Sequence, residues 1–307
     1  MANLREISAR IRSVQDTMKI TNAMYMISST KLRKARKDME GNSPYFLYLQ
    51  RMLAHILTEL PMTDHEFLDL RPEKTGSKRT KAIIVITGDK GLCGAYNHNV
   101  LHLVEREMQG PEKHRLYVVG EVGRQYFAAK HIHLAGQFRY TAQNPTLHRA
   151  RVITETLLAD FRAGKVDEVS IVYTMMPNAI TSEPQVMHLL PLNPKEVKGR
   201  LPGMDDQKEG ELNFQPSVKS ILDHLIPDLL VGYVYSALVD SYCSEQNDRM
   251  MAMDAASRSG QTMIHELSVE YNRARQAMIT QEITEVVAGA KAQKKKKMQK
   301  QKEALRK

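Results

Sequence analysis

The sequence predicts an α/β fold: a long antiparallel coiled coil of N- and C-terminal helices, with an α/β domain inserted between them. Three observations predict this fold. The first 40 residues carry a heptad stripe, the middle of the chain alternates strand-like runs with helical patterns, and the last 90 residues contain a single proline, Pro227. The predicted domains are the N-terminal helix over residues 1–60, the α/β domain over 80–215, the C-terminal helix over 216–291 and a basic tail over 292–307.

The N-terminal helix is predicted from side chains that recur at alternating spacings of three and four. A repeat held over about five heptads is typical of a helix that packs along a partner helix. The stripe is apolar at its start and becomes small or polar near Thr21 and Ser28. The run Gly41-Asn-Ser-Pro44 predicts a kink or a break, since Pro44 suits the first turn of a restarted helix. The members of the stripe are Leu4, Ile7, Ile11, Val14, Met18, Thr21, Tyr25, Ser28, Leu32, Ala35 and Met39.

The middle of the chain predicts a Rossmann-like α/β domain. Apolar runs of strand length alternate with helical patterns, which is typical of a layered fold with a largely parallel sheet. Residues 61–80 are predicted to be a linker and residues 191–213 an exposed loop, because both are rich in proline and charge. The predicted strands cover 81–87, 115–119, 168–174 and 186–190, and the predicted helices cover 97–108, 124–129 and 146–163.

The C-terminal helix is too long for one domain of this size to bury. From Asp228 to Lys291 it would span roughly 95 Å at 1.5 Å per residue. Apolar residues keep three-four spacing from Ile264 to Met278 and then resume on a rotated face. Such a stripe indicates that the partner changes along the helix. Because the N-terminal helix is shorter, part of the C-terminal helix needs a partner in another chain.

Composition argues against several classes of protein. The chain has 307 residues and a net charge of +9, but nine basic residues stand against one acid, Glu303, between 291 and 307. The rest of the chain is close to neutral, unlike a nucleic-acid-binding domain with a basic face. Cys93 and Cys243 form no CxxC pair, which indicates free thiols. No apolar run approaches the roughly 20 residues of a transmembrane helix, and no signal peptide precedes the first helical pattern.

A glycine-rich loop, Gly88-Asp-Lys-Gly91-Leu-Cys-Gly94, follows the first predicted strand and precedes a helix. A loop in this position could cradle phosphate with backbone N–H groups at the helix N-terminus. The loop matches neither GxGxxG nor GxxxxGK(S/T), so a tight strand-to-helix turn is the simpler alternative. No catalytic or metal-ligand pattern is identifiable elsewhere, and we predict no cofactor and no active site.

Three segments together resemble the gamma subunit family of F-type ATP synthases, of bacterial type. The first is Ile11-Arg-Ser-Val14 with Thr17-Met-Lys-Ile-Thr21, and the second is the loop 88–94 with Asn97. The third begins at Ser244-Glu-Gln-Asn-Asp-Arg-Met250 and continues through Tyr271-Asn-Arg-Ala-Arg-Gln276 to Gly289-Ala290. The resemblance covers about residues 1–291.

The resemblance implies a mechanical role. The terminal helices would form a left-handed coiled coil inside a hexamer of alternating alpha and beta subunits. The α/β domain would meet the epsilon subunit and the membrane ring of c subunits, which places the chain at the cytoplasmic face of the bacterial membrane as a peripheral protein. Ion-driven rotation of the ring would be coupled to ATP synthesis in the beta subunits, and the chain itself would not be an enzyme.

The resemblance also implies which residues contact partners. Arg275 and Gln276 would form a hydrogen-bonded catch with beta-subunit carboxylates, for which a planar Arg fork and an amide are suited. The basic residues of the first helix would pass an acidic loop of each beta subunit. Met24 would be a further contact near the catch. The basic residues are Lys31, Arg33 and Lys34, and the loop expected near beta or epsilon comprises Asp89, Lys90, Gly91, Leu92, Cys93 and Gly94.

Structural alternatives stay open for each of these groups. Arg275 and Gln276 could be a surface pair, Met24 a coiled-coil core residue, and the basic run a solvated face. A nucleotide-binding enzyme or a coiled-coil adaptor that uses the basic tail would be another class of protein. Neither class explains why both chain ends are long helices that need partners. The tail could be a disordered end, a short extension of the helix, or an electrostatic bearing against the alpha and beta subunits.

Overall fold

The computed structural model describes residues 4–60, 65–138, 142–178, 181–194, 197, 215 and 217–304. The chain divides into two compact units: the helical unit, Met1–Met24 with Met253–Lys307, and the α/β unit, Tyr25–Ala252. A short 3-10 turn, Gly76–Lys78, precedes the first strand. The other elements in chain order are α1 (Leu4–Glu59), β1 (Thr80–Ile86), α2 (Tyr96–Glu107), β2 (Lys113–Val119), α3 (Glu121–Ala129), β3 (Leu134–Gln137), α4 (Leu147–Arg162), β4 (Glu168–Met175), β5 (Glu183–Leu190) and α5 (Val218–Ala304).

The α/β unit is built on a five-stranded sheet of order β3-β2-β1-β4-β5. Strand β1 pairs in parallel with β2 and β4, and β2 pairs in parallel with β3. Strand β5 pairs with β4 in the antiparallel sense. The prediction of a largely parallel sheet is therefore confirmed, with β5 as an antiparallel edge. Strand β3 was not predicted, because its four residues include Gly136 and show no apolar alternation.

Helices cover both faces of the sheet, and the central strand β1 contributes to the core on each side. Ile84 and Ile86 belong to an apolar cluster shared with α1, α4 and the first part of α5. Ile83 and Val85 belong to a second cluster, shared with α2 and α3. Successive side chains of a strand point to opposite faces, and a strand buried on both faces reads as a continuous apolar run.

The helical unit is an antiparallel pair formed by α1 and α5. Thr21 Oγ1 and Ser257 Oγ lie 2.7 Å apart, and Ser257 Oγ donates to Asn22 Oδ1 at 2.9 Å. A Cβ atom placed on Gly260 would lie 2.7 Å from Met18 Cγ, so the helices approach closely there. The contacts run backwards along α1, from Thr21 to Met18, as they run forwards along α5. The predicted antiparallel pairing is confirmed.

The buried stripe of α1 follows the prediction closely. Ile7 and Thr21 are buried and the stripe positions between them are half-buried. Tyr25, a predicted member, is 36% exposed, and Met24 is half-buried in the adjacent position. On α5 the facing side chains again alternate spacings of three and four, as a heptad seam requires. They are Met253, Ser257, Gly260, Ile264, Leu267, Tyr271 and Ala274.

Of the kink or break predicted at residues 41–44, the break is wrong, since α1 continues through Pro44 to Glu59. A proline inside a helix costs about 3 kcal/mol or more. The turns that follow it place Leu53, Ile56 and Leu57 in the core of the α/β unit. Burial of three such side chains, at about 1.5–3 kcal/mol each, outweighs the local cost.

The basic tail is helical in the structure up to Ala304, as a continuation of α5.

By length and composition, the segment Val218–Met298 of α5 could also cross a membrane, because one 18-residue window has a mean hydropathy of 1.3. That window is 61% buried, and the core helix of a soluble protein passes the same test. Leu229, Val234 and Leu238 of α5 do lie in the core of the α/β unit, which accounts for the apolar composition.

One buried carboxylate ties the linker before β1 to the start of β4. Asp167 accepts hydrogen bonds from Arg71 Nη1 at 2.9 Å, Lys74 Nζ at 2.6 Å and the backbone N–H of Thr80 at 3.0 Å. Arg71 also donates to the carbonyl of Val166. Burial alone would raise the pKa of Asp167, but the three donors outweigh it, so this pKa lies below its ordinary value.

We predict that Asp167→Asn lowers the free energy of unfolding by roughly 2 kcal/mol at neutral pH, because hydrogen bonds to an ionised group contribute about 1.5–3 kcal/mol. The folded-state pKa is depressed, so this stability is present above the unfolded-state pKa of about 3.9 and is lost as pH falls through the folded-state pKa. Urea unfolding at several pH values should show the difference from wild type shrinking in acid. Asp16→Asn, at an exposed ion pair with Lys19, is the matched control and should change little. A difference that does not depend on pH would contradict the assignment.

We predict that Ile7→Asp loosens the helix pair by at least about 2 kcal/mol, because a carboxylate would be buried without a partner. Ile20→Asp places the same charge on the same helix at a position that is 62% exposed, and it should be nearly neutral. Hydrogen exchange of residues 257–271 in the isolated chain measures the pairing directly. Equal protection in both variants would show that the seam is not closed in solution.

Candidate functional site

The glycine-rich loop, residues 88–94, joins β1 to α2 and is braced by its own hydrogen bonds. The backbone N–H of Gly88 donates to Asn97 Oδ1 at 2.8 Å. Asn97 Nδ2 donates to Cys93 Sγ at 3.2 Å, and Cys93 Sγ donates to the carbonyl of Lys90 at 3.8 Å. Asn97, in the first turn of α2, therefore holds both ends of the loop.

Asp89 fastens the same loop to two neighbouring segments. Its carboxylate accepts from the backbone N–H of Glu121 at 3.2 Å and from that of Gln143 at 3.3 Å. Glu121 is the first residue of α3. The Asp89 carboxylate therefore satisfies a free N–H group at the start of this helix and interacts favourably with the helix dipole. The base of the loop is thus attached to the edge of the sheet where β1 and β2 end.

The apex of the loop is exposed and conformationally strained. Lys90 and Gly91 are exposed, and the Leu92 side chain is 66% exposed. Leu92 has φ = 61°, in the left-handed region that few non-glycine residues adopt. Gly94 has a similar φ of 57°, where glycine meets no steric penalty. The loop therefore presents an apolar side chain to solvent at a backbone position that disfavours it.

A buried ion pair of α5 lies against this loop. Arg249 Nη2 donates to Glu245 Oε1 at 2.6 Å, to the carbonyl of Lys90 at 3.3 Å and to that of Gly91 at 3.2 Å. Glu245 is 2% exposed and Arg249 8%. Burial raises the pKa of Glu245, while Arg249 opposes the rise. Sequence reasoning assigned no role to either residue; the signal available was an acid and an arginine four positions apart in a stretch of small residues.

The position of Glu245 argues against phosphate binding by the loop. A Cβ atom on Gly88 would lie 3.1 Å from the Glu245 carboxyl group, so this carboxyl group is next to the first glycine. The Gly88 N–H group is already bonded to Asn97. A phosphate here would meet a buried acid, and like charges at close range repel strongly at low dielectric. The structure thus has a tight strand-to-helix turn.

The basic run of α1 lies in the same unit as the loop. Lys31 is half-buried, and Arg33 and Lys34 are exposed. Lys31 and Lys34 border a cleft of about 220 Å³ whose other side includes Gln143, the residue that donates to Asp89. Lys31 is also close enough to Glu245 to oppose the rise of its pKa. The structure therefore places Lys31 and Lys34 beside the segment to which Asp89 of the loop is bonded.

The remaining predicted contacts belong to the helical unit. Arg275 and Gln276 are exposed and directly follow Ala274, the last half-buried residue of the seam. Neither side chain has a hydrogen-bond partner within the described part of the chain. All side chains of α5 from residue 275 to 298 are exposed, and they include large apolar ones. These are Met278, Ile279, Ile283, Val286, Val287 and Met298.

The remaining titratable groups form no metal-binding cluster in the described ranges. No cluster of three or more His, Cys, Asp and Glu side chains there could hold a metal ion. Cys93 and Cys243 are both free and buried, as predicted for thiols outside a disulfide. Burial raises the pKa of each thiol above its ordinary value, which makes both poor nucleophiles near neutral pH.

Comparison with known sequences gives matches along nearly the whole chain. The family model described as ATP synthase matches residues 3–293. The ATP synthase gamma chain of Ruminiclostridium cellulolyticum is 43% identical over 291 residues, covering 94% of this chain and 98% of that protein. The sodium-ion-specific ATP synthase gamma chain of Acetobacterium woodii is 37% identical over 302 residues, covering 94% and 98%.

Solved structures share the fold at much lower identity. A chain of the Euglena gracilis mitochondrial ATP synthase, in an OSCP/F1/c-ring structure, has a TM-score of 0.62 at 14% identity and covers 94% of each chain. A chain of the rotor of the same enzyme has a TM-score of 0.59 at 14% identity, covering 90% of this chain and 98% of that one. The sequence matches show that this chain, with its helix pair, its five-stranded sheet and its glycine-rich loop, belongs to the ATP synthase gamma family.

Proposed function

We propose that this chain is the central-stalk rotor subunit of a bacterial F-type ATP synthase, where it couples ion-driven rotation of the c ring to ATP synthesis in the beta subunits. The observation that carries the proposal is the unpaired part of α5. From residue 275 to 298 every side chain is exposed, and large apolar residues recur among them. Large apolar side chains that are left exposed repeatedly along one helix indicate an interaction site. The gamma chains that resemble this protein along nearly their whole length support the same role.

The proposed role is mechanical, and the nucleotide chemistry belongs to the beta subunits. Two features support this division. The loop that could have cradled phosphate has the buried Glu245 carboxyl group beside it. Both thiols are buried with raised pKa values, so neither is an activated nucleophile.

The helical unit and the α/β unit have different proposed partners. The alpha and beta subunits surround the helical unit, with Arg275, Gln276 and Met24 as contacts, and the epsilon subunit and the c ring meet the α/β unit. Lys31, Arg33 and Lys34 face the beta subunits, and the loop 88–94 faces the beta or epsilon subunits. The complex lies at the cytoplasmic face of the membrane, to which this chain is peripheral. The relative from Acetobacterium woodii is named as sodium-specific, and we assign the choice of ion to the c ring.

The function is tested by reconstitution. We expect the purified chain to hydrolyse no ATP, and an alpha–beta complex to gain steady hydrolysis when the chain is added. A visible probe fixed to the α/β unit should rotate in single-molecule recordings during hydrolysis. Robust turnover by the chain alone, persisting through repeated purification, would overturn the proposal. So would an alpha–beta complex whose activity is indifferent to the chain.

We predict that Arg275→Ala with Gln276→Ala reduces coupled ATP synthesis severalfold at matched assembly. Both side chains are exposed, and alanine favours the helix, so the fold should be retained. A bidentate Arg–carboxylate contact, which alanine removes, is among the stronger hydrogen-bonded pairs. Arg258→Ala with Gln261→Ala removes the same residue types from exposed positions of the same helix, and it should leave synthesis unchanged. Equal rates in both double variants would refute the catch.

A further inference from the structure

We propose that Arg249, oriented by Glu245, fastens the apex of the loop 88–94 to helix α5 and so fixes Leu92 as a rigid apolar contact for a partner subunit. The partner contact rests on the proposed function, whereas the fastening of the loop does not. Arg249 and Glu245 are positioning residues: they act on the partner only through the loop.

The hydrogen bonds of Arg249 are directed at the apex and not at the base. Lys90 and Gly91, whose carbonyls accept from Nη2, immediately precede Leu92. Nη2 carries two N–H groups and serves three acceptors, so at least one N–H group is shared. Arg249 is 8% exposed, and at such burial a charged donor without acceptors would be costly. Loop and arginine are therefore mutually dependent.

Glu245 fixes where the guanidinium points. Its carboxylate lies one helical turn before Arg249 on the same face, 2.6 Å from Nη2. The carboxylate is almost fully buried, so the pair is shielded from water and salt. Exposed pairs of the same spacing are worth little, whereas breaking a buried pair is expensive. The pair is thus built to hold one geometry.

The strain at Leu92 indicates what the fastening is for. A left-handed leucine costs on the order of 1 kcal/mol and persists only where the surroundings determine it. Leu92 is 66% exposed, so burial within this chain recovers little of that cost. The base of the loop is held by Asn97 and Asp89, and the apex by Arg249. A load on Leu92 would therefore pass to α5 and would not be absorbed by the loop.

The fastening is tested in the full-length chain by alkylation of Cys93 with iodoacetamide, followed by mass spectrometry. Cys93 is 2% exposed within the loop, and Cys243, 5% exposed in the core, serves as the internal reference. We expect Arg249→Gln to raise the alkylation rate of Cys93, relative to that of Cys243, by about tenfold or more. General unfolding would expose both thiols together. An equal increase in the alkylation rates of Cys93 and Cys243 would therefore overturn the proposal.

The sign of the change separates release of the loop from simple electrostatics. Arg249 lowers the pKa of the Cys93 thiol and Glu245 raises it. Removal of Arg249 from a loop that stays in place would therefore reduce the thiolate fraction and slow alkylation. Faster alkylation requires that the loop opens. A slower or unchanged rate in Arg249→Gln would overturn the proposal.

Two further variants guard against misfolding and against general effects of charge. Arg249→Lys keeps the positive charge beside Glu245 but loses the planar fork, so it should accelerate alkylation of Cys93 to a smaller extent. Arg258→Gln removes an arginine that is also paired with an acid four residues earlier, Asp254, but at an exposed site. It should not change the ratio. An acceleration in Arg258→Gln equal to that in Arg249→Gln would overturn the proposal.

The consequence for the partner is tested in the reconstituted synthase at matched assembly. Leu92→Ser and Arg249→Gln should each lower the ratio of ATP synthesised to ions transported, and the double variant should be no worse than the more severe single variant. If Arg249→Gln frees Cys93 but Leu92→Ser leaves this ratio intact, the contact at Leu92 is refuted while the fastening stands. If the whole chain proves dispensable for coupling, the proposed function fails independently of the alkylation result.

Discussion

The structure depends on an unequal pairing of two helices. Helix α1 begins at Leu4, whereas α5 continues to Ala304, so among the residues that the structure describes α5 has a facing helix only up to Ala274. Near Gly260 the Met18 side chain packs so closely against α5 that a Cβ atom added to Gly260 would clash with it. The seam thus joins the two ends of the chain firmly over its length and then stops. Everything beyond it on α5 must find its environment elsewhere.

Buried charge has a second organising role, in the α/β unit. Asp167 and Arg249 are both nearly inaccessible to water, and each binds several groups that are distant in sequence. Burying an ion is unfavourable unless its hydrogen-bonding capacity is met, so each of these side chains tolerates few alternative arrangements of the segments around it. Asp167 in this way specifies the path of the linker, and Arg249 that of the loop apex.

The sequence was sufficient for features that repeat and insufficient for features that arise from single contacts. The stripe of α1 followed from its heptad spacing, the strands β1 and β4 from continuous apolar runs, and the antiparallel pairing from two long helices at the ends of the chain. Each of these patterns involves many residues at once. A kink or a break was predicted at Pro44, and the helix is not broken there, because local propensity cannot show how much core the following turns bury. Glu245 and Arg249 received no role, since the carbonyls that Arg249 contacts lie more than a hundred residues away and carry no side-chain signature.

Helix α5 changes chemistry twice after Arg249, and each change limits what can surround it. The residues of the seam, up to Ala274, pack against α1. The next part exposes Ile279, Ile283 and Val286, which favour a surrounding that excludes water. From Lys294 to Lys297 four ammonium groups follow one another, and the helix continues through them. Adjacent cations repel and are strongly hydrated, so an environment that excludes water suits this part of α5 only where it offers acids. One uniformly apolar environment cannot suit both the exposed apolar part of α5 and the lysine run. The family match ends at residue 293, just before the lysine run begins.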